Sequence, residues 1–142
     1  MIARPRYLDE ELLETPSLAL DRVRLETGHM GERVNEMLAK IMPAIVSGNR
    51  GTLKEITKID DEVDMLYKHI IDYLGQISRK QLSEQQTHEL VDLMEAVNDL
   101  ENIGDVIEKE MVYLGNQSID KNISISDMTQ DVLNKLHAIV SI

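Results

Sequence analysis

The chain has no cysteine, tryptophan or phenylalanine, and only three prolines and four tyrosines in 142 residues. Without cysteine there is no disulfide framework and no thiolate metal site, which fits a reducing compartment. Without large aromatics the interior must be built from Leu, Ile, Val, Met and Ala, the material of helix packing. Basic residues are scarce too. Fifteen Lys and Arg stand against 26 Asp and Glu, a net charge of -11, which argues against nucleic acid or an anionic membrane surface as partner, since both recruit basic patches. Long apolar runs are missing as well. The longest, Ile41-Met42-Pro43-Ala44-Ile45-Val46, is far below the ~18 residues that span a bilayer. The N-terminus carries no signal-peptide pattern, so the chain reads as soluble as it stands, with no membrane insertion of its own. What remains is 42% hydrophobic residues at a length that makes one domain with a sizeable core.

The periodicity of those residues predicts an all-α fold, an up-down antiparallel bundle of three long helices plus a truncated fourth. Residues 1 to 15 lack a helical apolar period and read as an extended lead-in. Thr15-Pro16 is an N-cap followed by proline at the first helical position, opening a helix over 16–46 with Leu18, Leu25, Val34, Met37, Leu38, Ile41 and Ile45 on its inner face. Pro43 is expected to kink this helix or end it at Met42, and Ser47-Gly48-Asn49 terminates it in either case. A second helix is predicted over 51–79. A third opens at the capping box Ser83-x-x-Gln86 and closes at Leu114-Gly115-Asn116, covering 83–115. After a polar connection, Ser126 caps a fourth helix over 126–142 carrying Val132, Leu133, Leu136, Ile139 and Val140. The domain boundaries follow: lead-in 1–15, a three-helix bundle over 16–117, and over 118–142 the connection and the start of a second helical repeat.

Two acidic pairs share one spacing, Asp60-x-x-x-Asp64 and Glu101-x-x-x-Asp105. Counted from Ile56 in one heptad stripe (Ile56, Val63, Ile70, Ile77) and from Val97 in the other (Leu90, Val97, Gly104, Met111), each pair falls four and eight places on. The pairs are mirrored about the turn at Lys80-Gln81-Leu82, so an antiparallel hairpin sets them at similar height, at a rise of about 1.5 Å per residue. Each i, i+4 pair lies on one helix face and can grip a cation from one side. Chance alone supplies several such pairs in a chain with 26 acidic residues, and spacing alone favours the plainer reading, a solvated shoulder of an amphipathic helix. Against that reading stands Asp60-Asp61-Glu62-Val63-Asp64, four acids in five residues that repel one another unless a cation is near.

At these helices the sequence resembles the PhoU-like helical domain, whose signature is an acidic D/E-x-x-x-D pair on successive helices, one within L-E-R-I-G-D. Here the segment reads Leu100-Glu101-Asn102-Ile103-Gly104-Asp105, with Asn102 in the place of arginine. Pro5-Arg6-Tyr7-Leu8-Asp9, followed by Thr15-Pro16-Ser17-Leu18-Ala19-Leu20, resembles the join between the membrane part and the C-terminal PhoU-like domain of bacterial sodium/phosphate cotransporters. The resemblance implies a cytoplasmic regulatory domain of a sodium-dependent phosphate transporter, at the inner membrane in the full-length protein. Its implied partners are the transmembrane part of that transporter and, as a homo-oligomer, further copies of the chain. It also implies metal binding at Asp60, Asp64, Glu101 and Asp105, with Fe, Zn or another divalent cation as the ion. The alternative is a stand-alone PhoU-like phosphate-uptake regulator, or a helical adaptor, that needs no metal.

A di-iron carboxylate enzyme needs two Glu-x-x-His motifs, and the chain has one, Glu26-Thr27-Gly28-His29. The expectation is that this spacing is accidental and that His29, His69, His88 and His137 are plain surface or boundary histidines. No nucleophile, base and orienting group converge, and no glycine-rich phosphate loop is present, so catalysis is not expected. The methionines at helical spacing read as core filler rather than as an adaptable surface.

Overall fold

A computed structural model describes residues 4–121 and 133–139. It is all-helical, with no strand among the described residues. A short 3-10 turn, Glu10–Glu14, precedes α1 (Pro16–Ser47), α2 (Arg50–Ser78) and α3 (Glu84–Val106); a π-helical turn, Ile107–Val112, then leads into α4 (Tyr113–Lys121). Residues 133–139 are also helical, while the rest of the predicted 126–142 helix, with Val132 and Val140, lies outside the described residues. The chain divides into two compact units, Met1–Glu32 with Glu62–Glu101 and Arg33–Asp61 with Asn102–Ile142. The divisions fall inside α1, α2 and α3.

The predicted helix boundaries follow from local chemistry. In α1, the Thr15 carbonyl accepts from the Leu18 and Ala19 amides. At the other end Gly48 takes φ 67°, a left-handed conformation that glycine adopts without steric cost. The Gly48 and Asn49 amides donate to the Ile45 and Ala44 carbonyls, which is the Schellman pattern that satisfies a helix C-terminus. Of the two expectations for Pro43, a kink or a stop at Met42, the stop does not occur. Pro43 sits inside α1, one turn from the end, where a single amide is lost and the Pro43 carbonyl is recovered by the Ser47 hydroxyl at 2.8 Å. The Asn49 side chain then accepts from the Thr52 amide and caps α2. The capping box of α3 is complete: the Ser83 amide donates to Gln86 Oε1 at 2.9 Å and the Gln86 amide to Ser83 Oγ at 3.1 Å.

The inner face of α1 is as predicted in its C-terminal half, where Val34, Met37, Ile41 and Ile45 are buried, and differs in its N-terminal half. Leu18 and Leu25 are 46% and 50% exposed, whereas Ala19, Leu20, Val23, Met30, Val34, Met37 and Ile41 are buried. The true stripe steps through 23, 26, 30, 34, 37 and 41, a three-four repeat that passes through Glu26. The heptad stripe of α2 is as read: Ile56, Val63, Leu66, Ile70 and Ile77 have no exposed surface and Tyr73 is 3% exposed. At ~1.5–3 kcal/mol for each fully buried aliphatic side chain, this stripe is a principal source of stability.

The unit of Met1–Glu32 with Glu62–Glu101 holds the lead-in against α1 and α2. Leu13 is buried, the Tyr73 hydroxyl donates to the Asp9 carbonyl at 2.7 Å, and Lys80 pairs with Glu14 at 2.8 Å. Burial pushes the Tyr73 phenol above its ordinary pKa, so it stays a donor at neutral pH. Tyr67 donates to Asn98 Oδ1, across the antiparallel α2–α3 hairpin.

In the other unit, Lys40 pairs with Glu55 across the α1–α2 hairpin, and Arg50 with Asp120. The expected stop at Gly115 is absent; the chain remains helical to Lys121. Gly115 is buried, and a Cβ there would lie 3.2 Å from Ile45 Cγ1 and Leu53 Cδ1. The glycine serves close helix approach rather than termination. Residues 133–139 present Leu133 at 51% exposure, with Lys135 paired to Glu110.

Replacing Ser83 by Ala removes one half of the α3 capping box and is expected to lower unfolding free energy by about 1 kcal/mol. Urea denaturation followed by helical circular dichroism reads the change, and an unaltered midpoint would show that the box contributes nothing.

Candidate functional site

Asp60 lies four residues after Ile56 and three before Val63, so the α2 stripe carries it inward. Its side chain is 3% exposed, not part of a solvated shoulder. Asp64, one turn further along the same helix, is half-buried, as are Glu101 and Asp105. One carboxylate oxygen each from Asp60, Asp64 and Asp105 lies within 4.8 Å of the others. Three of the four predicted ligands are therefore together, and Glu101 is not in that group. Gly104, beside Asp105, is buried.

Lys109 approaches Asp105 at 3.8 Å with its own side chain 69% exposed, a solvated pair of little energetic weight. Asp64 Oδ1 is buried and accepts no hydrogen bond. A buried carboxylate oxygen with no donor is costly, and a cation is the natural partner for such an atom. The residues present therefore fit a metal: all-oxygen, all-anionic donors at one-turn spacing suit a hard divalent or ferric ion.

A second buried carboxylate escaped the sequence reading. Glu26 has no exposed surface and His29 is 6% exposed, so His29 is not a surface residue and the Glu26-x-x-His29 spacing is not incidental. His29 Nδ1 and Glu26 Oε2 are 2.8 Å apart, the other Glu26 oxygen accepts from the Tyr7 amide at 2.8 Å, and the Tyr7 and His29 rings meet edge to face with centroids 6.5 Å apart. The signal was available in the three-four repeat running from Val23 to Ile41. His69, His88 and His137 are exposed, as expected. An open polar cleft of about 300 Å³ lies at the starts of α1 and α3, but its one cation, Arg24, is already paired with Asp21 and Glu89.

The PhoU domain profile matches residues 27–109, more than half of the chain and all four acidic residues. The chain belongs to the PhoU-domain family. It is 28% identical over 121 residues to YjbB of Escherichia coli K12, a proposed inorganic phosphate export protein, covering 85% of this chain and 21% of that protein. The Salmonella typhimurium YjbB is 26% identical over the same share of each chain. A PhoU homologue of Clostridium acetobutylicum, named as a phosphate-specific transport system accessory protein, is 31% identical over 101 residues, 68% of this chain and 45% of its own length. This PhoU-domain chain thus spans about a fifth of the length of the YjbB proteins. No solved structure matches it. Among the described residues no helix is long and apolar enough to cross a membrane.

In this PhoU domain, Asp64→Asn removes one of three crowded charges and supplies an amide donor to its neighbours. In the presence of chelator the variant is expected to be more stable than the parent by about 1 kcal/mol. Thermal melting checks it, and a lower midpoint would mean that the Asp64 charge is already compensated within the fold.

Proposed function

We propose that this chain is a regulatory domain of phosphate transport whose acidic group binds a hard divalent or ferric cation. The observation that carries the proposal is that the PhoU match, residues 27–109, contains the whole acidic group that the structure draws to within 4.8 Å. Asp60, Asp64 and Asp105 are the proposed ligands, and Glu101, the remaining acid of the two pairs, lies outside that group. Iron in its ferric state suits this donor set better than zinc, which favours histidine and cysteine. Binding would neutralise the cluster and tie α2 to α3, and the reading needs no catalytic step.

The names of the relatives concern phosphate export and phosphate-specific transport. They support the PhoU-like regulator, the alternative in the sequence reading, better than a domain of a sodium cotransporter. The cotransporter reading rests on Pro5–Asp9 and Thr15–Leu20 alone. That the domain works inside a longer transport protein is favoured by the 21% coverage of YjbB. Its partners would then be membrane-spanning segments of that protein, met on the cytoplasmic side of the inner membrane, and a second copy reached through residues 126–142.

Protein purified without chelator is expected to carry iron or another divalent metal by elemental analysis, and the double variant Asp64→Asn/Asp105→Asn to carry none. Equal metal in both would refute the site. Disrupting the gene in its host is expected to change uptake or efflux of radiolabelled phosphate, and unchanged rates would refute the regulatory role independently of metal.

A further inference from the structure

The Glu26–His29 pair plays no part in the acidic group, yet it is more deeply buried than any other charged pair described. A hydrogen-bonded polar pair withdrawn from water gives back little net stability compared with apolar residues of the same volume. What it gives instead is geometry. Here the geometry is specific: the second Glu26 oxygen takes the backbone amide of Tyr7 at 2.8 Å, and His29 holds the first at 2.8 Å while offering its ring to Tyr7. A backbone amide can be gripped this way only at one register of the lead-in.

The rest of the lead-in is held by similarly discrete contacts. The Asp9 carbonyl accepts from the Tyr73 hydroxyl, and Glu14, itself exposed to solvent, pairs with the half-buried Lys80. Leu13 is the one buried apolar side chain among residues 4–14. A segment with so little apolar burial opens at lower free energy than the helices beneath it.

We propose that residues 4–14 form a strap that closes on α1 and α2 and opens without unfolding them, with Glu26 and His29 as its latch and Tyr73 as a second fastening. Closed, the strap fixes the direction in which the chain enters α1. Open, it admits water to the Glu26 carboxylate and frees the lead-in to move relative to the helices. Nothing in this depends on a metal at Asp60, Asp64 and Asp105.

Trypsin reads the opening directly. It does not cut Arg4–Pro5, so Arg6–Tyr7 is the reporter bond within the strap. On the full chain under native conditions, Glu26→Gln is expected to speed cleavage at Arg6–Tyr7 by at least about tenfold, the effect of weakening a charge-assisted hydrogen bond. Tyr73→Phe is expected to speed it several-fold, with cleavage after Lys68 in α2 unchanged in both. Arg6–Tyr7 cleavage at the parent rate in both variants overturns the proposal, and so does a parallel acceleration at Lys68, which would make the pair a support of the whole fold. Should the Gln variant fail to fold, Tyr73→Phe and amide exchange of the unaltered chain still decide. The Tyr7 amide is expected to exchange more slowly than that of Arg6 and faster than that of Ile70. A Tyr7 amide as fast as Arg6 means no latch, and one as slow as Ile70 means no independent opening.

Discussion

The apolar stripe of α2 is the constraint on which the candidate site depends. Ile56 and Val63 have no exposed surface, and Asp60 sits on the same face between them. Folding cannot bury the first two without drawing the carboxylate inward. The hydrophobic gain along the stripe, ~25 cal/mol per Å² of apolar surface, outweighs the cost of desolvating one acid. The acid's neighbours then follow from helix geometry: Asp64 stands one turn on, and Asp105 is brought within 4.8 Å. The crowding of like charges is thus a product of core packing, imposed on the residues rather than sought by them.

Among the described residues, Glu26 and the acidic group meet the loss of water in different ways. Glu26 is answered within the protein, one oxygen by His29 and the other by a backbone amide. Its environment is closed, and its effect is to position the chain. At the acidic group Lys109 reaches Asp105 at 3.8 Å and stays largely in solvent, while a buried oxygen of Asp64 accepts no hydrogen bond among the described residues. The contrast between the closed surroundings of Glu26 and the unsatisfied Asp64 Oδ1 is what the proposed cation site rests on.

Much of this was legible in the sequence because it is local. The Thr15-Pro16 start, the Gly48 stop and the Ser83-x-x-Gln86 box are decided by residues within a few positions of each other, and all three appear as read. The α2 heptads were equally plain, being set by period alone. The N-terminal half of the α1 inner face was misread because Leu18 and Leu25 look like core while the stripe runs through a glutamate and a histidine. Hydropathy ranks Glu26 outside, and only its partners, a tyrosine amide 19 positions away and a histidine one turn on, make its burial affordable. Convergence of Asp60, Asp64 and Asp105 was visible as a symmetry about the Lys80–Leu82 turn. The place of Glu101 outside the group was not, since spacing fixes a face but not the distance from it.

The end of α3 shows how a local rule yields to packing. Leu114-Gly115-Asn116 has the composition of a helix stop, and the chain nevertheless stays helical to Lys121. Entering and crossing the π turn the buried positions step through 104, 107 and 111, and from its last residue, 112, they continue to 115. Met111 and Val112 are both buried, adjacent residues that an ordinary α-helix would turn about 100° apart. The wide turn takes up one residue and rotates the following face, so that Gly115 rather than a bulkier neighbour faces Ile45 and Leu53, where an added Cβ would lie 3.2 Å from each. A glycine at that point is used for the room it leaves, and helix α4 continues because its carbonyls keep their partners and its face keeps its contacts. Removing the π insertion would turn Gly115 away and set a larger side chain against Leu53. The turn that follows Asp105 and the close approach at Gly115 are therefore one structural device.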